Sequence, residues 1–207
     1  MNAQHEPHDS NAVHSTPALR RVVAFVALAN LAYFCVEYAV ARSIGSVSLF
    51  ADSIDFLEDA SVNLLIFLAL SWSVQRRARL GMLLAVILLI PALAMLWTLW
   101  QKLTSLTPPA PLVMSATGIG ALAVNLTCAL VLARFHHHRG SLTRAAFLSA
   151  RNDAYANLAI IGAGLVPLWW SSPCPDIVVG IGIAAINADA ARSVWKAARA
   201  ETARARA

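Results

Sequence analysis

Six long apolar runs dominate this sequence, at about residues 22–41, 47–71, 80–103, 112–135, 145–170 and 177–198. A helix needs about 20 mostly apolar residues to cross a bilayer, and each run is close to that length. Little of the 207-residue chain remains for a soluble domain. Charged residues make up only 13% and hydrophobic ones 58%. The expected fold is therefore all-α, a polytopic membrane protein of six transmembrane helices. Pro108, Pro109 and Pro111 separate the third and fourth runs, and Pro173 and Pro175 the fifth and sixth. Pro91 falls inside the third run, where a kink is expected.

Residues 1–19 are polar, contain His5, His8 and His14, and lack the apolar core of a signal peptide. They read as a disordered tail, residues 20–198 as the membrane domain and residues 199–207 as a short basic tail. The net charge of +5 is concentrated in loops rather than in a patch that would fit nucleic acid. With the N-terminus inside, Arg20, Arg21, Arg76, Arg77, Arg79, Arg134, Arg139, Arg144, Arg192, Lys196, Arg199, Arg204 and Arg206 are all cytoplasmic. Only Arg42 and Lys102 fall outside, with Arg151 inside a run. The positive-inside rule thus places both termini in the cytoplasm. Trp72, Trp97, Trp100, Trp169 and Trp170 stand near run ends as interfacial anchors. Cys35 and Cys128, inside runs, read as small buried hydrophobes, and with Cys174 they form no CxxC pair.

Ionisable residues inside a spanning helix are costly and face a cavity or a partner. The second run carries the densest set, SVSLFADSIDFLEDASVN. At about 100° per residue, with Asp52 at 0°, Asp55 falls at about 300°, Asp59 at about 340° and Asn63 at about 20°. Glu58, at about 240°, leaves this stripe. The fifth run repeats the pattern in FLSARNDAYAN. There Ser149, Asn152, Asp153 and Asn157 share one side, and Arg151 lies opposite, where it can pair with Glu58. Asp55 and Asp59 are four apart, as are Ser149 and Asp153. Two helices each presenting such a pair can surround one divalent cation with four side chains. Asn30, Asn125, Asn157 and Asn187 sit within runs, where hydrogen bonding between helices is the default. Glu37 requires a cavity or a partner. Gly162 and Gly164, like Gly180 and Gly182, allow close helix packing.

These residues resemble the cation diffusion facilitator family. SVSLFADSIDFLEDASVN is similar to its second helix, with the pattern S-x-x-L-x-A-D-x-x-[HD]-x-x-x-D, and Asp55 and Asp59 match the two metal-ligand positions. NLAYFCVEYAVARSIG resembles the first helix, with Glu37 at an acidic position; PDIVVGIGIAAINADAARSV resembles the sixth. The fifth-helix motif is H-x-x-x-D: Asp153 matches its aspartate, and Ser149 stands where the histidine belongs. Zinc and cadmium favour nitrogen and sulfur ligands more than magnesium or manganese do, so a hydroxyl there either shifts selectivity away from zinc or marks a degenerate site. Family members usually continue into a cytoplasmic domain, and this sequence ends soon after the sixth run.

The resemblance implies a transporter rather than an enzyme, with no prosthetic group. Its cargo would be a divalent metal ion of the zinc, cadmium or cobalt kind, exported against protons by alternating access in a homodimer. The implied ligands are Asp55, Asp59, Asp153 and Ser149. Asp52, Asn152 and the loop residues His136, His137 and His138 are accessory candidates. A bacterial inner membrane is the expected location. The alternative is a regulatory or non-transporting relative with a degenerate site. An intramembrane aspartyl protease built on Asp59 and Asp153 would need a GxGD motif, which the sequence lacks.

Overall fold

The computed structural model describes residues 17–69, 74–105, 107–135 and 141–187. Among them are six α-helices: α1 (Pro17–Ile44), α2 (Val47–Ala69), α3 (Val74–Ser105), α4 (Pro111–Phe135), α5 (Ser141–Leu165) and α6 (Cys174–Asn187). A single 3₁₀ turn, Val166–Leu168, follows α5. The described residues contain no strand. Helix α1 begins at Pro17, so the last residues of the expected tail are helical. Proline suits a first helical position, where its missing N–H is not needed. Helix α3 continues through Pro91, which does not end it. His5, His8, His14, His136, His137, His138, Trp72 and the basic tail lie outside the described residues.

Helix α1 packs against α2 and α4, α3 against α2, and α4 against α5. The α1–α2 connection is short and fully specified. Gly45 has φ +64°, the left-handed conformation that closes a helix, and the Ser46 N–H returns to the Ala41 carbonyl at 3.0 Å. Ser46 Oγ then accepts the Leu49 N–H at 3.2 Å, capping α2. Apolar packing centres on Leu49, Phe50, Met95, Met114, Ile160 and Ile183.

The distribution of polarity is inverted relative to a water-soluble bundle. Leu28, Leu93, Leu96, Leu126 and Leu130 are exposed, whereas Asn30, Glu37, Asp52 and Asn157 are buried. Such a bundle suits a solvent of lipid tails, where the backbone must be satisfied within helices and charge faces inward. The segments Arg20–Ile44 and Pro111–Ala133 have mean hydropathies of 1.8 and 1.9 and are long enough to cross a membrane. Trp97, Trp100, Trp169 and Trp170 are all exposed, as interfacial anchors are. Cys128 is buried as expected, but Cys35 is exposed on the apolar outer face of α1. Lys102, expected in an outer loop, is buried, and its ammonium donates to the Thr107 carbonyl at 2.6 Å.

Candidate metal centre

Helix α2 carries the acidic stripe, and its angular pattern is realised. Asp52, at the centre of the stripe, is 1% exposed. Asp55 and Asp59 are half-buried, and Glu58 is exposed. Aromatic packing fixes the face that α2 turns inward: Tyr33 of α1 packs at a tilt against Phe56 with ring centroids 4.9 Å apart, and Tyr38 meets Phe50 edge-on at 5.5 Å. Tyr33 also donates to the Thr117 carbonyl at 2.5 Å, joining α1 to α4. At the other end of α2, the Arg20 guanidinium lies 4.9 Å from the Phe67 ring.

Glu37 on α1 and Asp52 on α2 lie within electrostatic range of each other. Both side chains are fully buried, and among the described residues no donor reaches either Glu37 oxygen or Asp52 Oδ2. Adjacent carboxylates repel, and such a pair needs a proton or a cation between them. Asp153 on α5 is half-buried and lies within electrostatic range of Asp52, Asp55 and Asp59. The fold therefore turns the carboxylates of α1, α2 and α5 toward one interior. Among the described residues no three carboxylate, imidazole or thiol groups converge closely enough to hold an ion by themselves. The Ser149 side chain is outside the described residues, as is that of Arg151, so its pairing with Glu58 is too. Asn152 is exposed.

Two of the amides differ from expectation. Asn30 donates to Val26 O at 3.0 Å and Asn157 to Asp153 O at 2.8 Å, each on its own helix rather than across to a neighbour. A carbonyl four residues back is always within reach of a short polar side chain, and here it wins. Asn63 does the same with Asp59 O at 2.8 Å. Asn63 and Asn157 thus brace the turns that carry Asp59 and Asp153. The buried Oδ1 atoms of Asn30 and Asn157 accept no hydrogen bond from the described residues. Asn187 does bond between helices: its Nδ2 donates to Asp55 Oδ1. Its place in an apolar run was the only signal in the sequence, and that signal did not name its partner.

Asp176, in the first turn of α6, is a residue that no sequence pattern marked. It is 1% exposed and gathers the start of α2. Its Oδ1 accepts from Ser46 Oγ at 2.7 Å, Ser48 Oγ at 2.7 Å and Ser48 N at 3.0 Å, and its Oδ2 from Val47 N at 2.9 Å. A carboxylate at a helix N-terminus satisfies orphan N–H groups and complements the helix dipole. Gly180, one turn on, lets α6 touch the α2 backbone: a Cβ there would stand 2.8 Å from Ser48 N and from Val47 C.

The sequence matches the family model described as the cation efflux transmembrane domain over residues 23–201. No curated protein matches it.

Proposed function

From the premise that the chain belongs to the cation efflux transmembrane domain family, we propose that it exports divalent metal cations from the cytoplasm in exchange for protons. The observation that carries this reading is the stripe of Asp52, Asp55 and Asp59, turned inward toward Asp153 in a bundle whose outer face is apolar. All six helices cross the membrane in this reading, with both termini cytoplasmic and a bacterial inner membrane as the location. Two copies form a homodimer.

The chemistry follows from the donors. Asp55, Asp59, Asp153 and Ser149 hold the cation, with Asp52 beside them. Clustered carboxylates repel one another, so a divalent cation and protons compete for the same oxygens. Opening toward an acidic exterior returns protons to the carboxylates and releases the metal. Glu37 and Asp52 extend the set of proton-carrying groups toward the outer end of α2. Zinc, cadmium and cobalt, implied by the resemblance, are tested beside manganese, nickel and iron(II). No covalent chemistry is required.

Purified protein in liposomes, with an imposed pH gradient, tests the reading. Flux of one metal is expected, abolished by Asp55→Ala and by Asp153→Ala. A folded wild-type protein that moves none of the six metals, beside a working control transporter, refutes it. The absence of a closed three-ligand group among the described residues favours a second reading, a regulatory relative with a degenerate site, and that result would support it.

A further inference from the structure

The sixth helix meets α2 along one face. Asp176, Gly180, Ile183 and Asn187 are spaced i, i+4, i+7 and i+11, and at about 100° per residue they fall within an arc of roughly 60°. Asp176 holds the α2 N-terminus, Gly180 sits against the α2 backbone, Ile183 is buried, and Asn187 reaches Asp55. The direction of the Asn187 side chain is therefore set by the packing of α6 and not by a free rotamer choice. Asn30, Asn63 and Asn157 spend their donors on their own helices, whereas Asn187 spends its donor on a candidate ligand. The Asn187 bond uses Oδ1 of Asp55 and not Oδ2.

We propose that Asn187 is a positioning residue of the cation site, holding Oδ1 of Asp55 so that Oδ2 is presented to the metal. This rests on the transporter reading. A ligating carboxylate whose second oxygen is held by an outer donor is fixed in orientation, and losing such a partner typically costs 10–100-fold in metal affinity. Asn187 thereby makes α6 part of the site without its touching the ion.

The test measures metal affinity of the full chain in detergent, by competition with a fluorescent chelator, for Zn²⁺, Cd²⁺, Co²⁺ and Mn²⁺. The unfolding midpoint without metal is measured on the same samples. Asn187→Leu removes the donor at nearly constant size, and Asn187→Gln keeps it on a longer arm. Asn187→Leu is expected to weaken binding by about 10–100-fold with little change in the midpoint, and Asn187→Gln to recover part of that loss. Should Asn187→Leu fail to fold, Asn187→Ala carries the same comparison. Wild-type affinity in the donor-less variant overturns the inference and leaves the transporter reading standing. Loss of affinity in step with the midpoint, with no recovery in Asn187→Gln, assigns Asn187 to packing and also overturns it. A folded wild-type protein that binds none of the four metals removes the transporter reading and this inference with it.

Discussion

Asp176→Ala would strip four donors of their acceptor at once. Two are the Val47 and Ser48 N–H groups of the first α2 turn, at 2.9 and 3.0 Å. Two are the Ser46 and Ser48 hydroxyls, both at 2.7 Å. Loss of an N-cap alone costs about 0.5–2 kcal/mol. Hydrogen bonds to a charged group contribute about 1.5–3 kcal/mol each but do not add when they share one acceptor. The site is buried, so the stranded donors gain no water. A total of about 3–5 kcal/mol is expected, the range for breaking a buried charged network. At about 2–4 °C per kcal/mol for a chain of this size, the unfolding midpoint should fall by roughly 6–20 °C. Asp176→Asn keeps one acceptor oxygen but turns an NH₂ toward donors, and should cost about 1.5–3 kcal/mol. Thermal unfolding in detergent without metal reads both, and hydrogen exchange at the Val47 and Ser48 amides reads the cap directly. A midpoint within about 2 °C of wild type, or unchanged protection of those two amides in the alanine variant, would refute the reasoning.

Glycine substitutions should divide by sign. Gly180→Ala gains about 1 kcal/mol of helix propensity but forces a Cβ against backbone at 2.8 Å, so overpacking of about 1–3 kcal/mol should win and lower the midpoint. Gly162→Ala meets nothing within 4 Å and should raise it; identical signs would contradict the packing described. Tyr33→Phe removes the donor to the Thr117 carbonyl and should destabilise by about 0.5–1.5 kcal/mol, measured the same way; an unchanged midpoint would show that bond to be dispensable. Glu37→Gln replaces one of two facing carboxyls with a donor for Asp52, so stability should hold or rise by about 1 kcal/mol while pH-driven metal flux slows several-fold. Unaltered flux would remove Glu37 from the proton-carrying set.

What the sequence reveals here is what helical periodicity can encode. The α2 stripe was legible because burial follows angle: Asp52 is buried and Glu58, about 120° away, is exposed. The same geometry explains the glycine pairs. Residues two apart on a helix differ by about 200°, so only one of each pair can face a given neighbour. Gly164 and Gly180 pack closely, and Gly162 and Gly182 face open space. The role of α6 was not legible, because Asp176 acts on Ser46, 130 residues earlier, and no local pattern encodes that distance. Asn30 and Asn157 were misjudged because an apolar run shows that a polar side chain needs a partner but not whether its own backbone supplies one. The contribution of α6 bears directly on the candidate site. Asp52 lies five residues into α2, little more than one turn from the cap. Fraying of that first turn would bring the helix end to the buried carboxyl pair and release the register that aims Asp55 and Asp59. Asp176 in the first turn of α6 and Asn187 three turns on hold the same stripe, one by fixing the start of α2 and the other by fixing a carboxylate. The two should therefore be separable by experiment: the first through stability, the second through metal affinity.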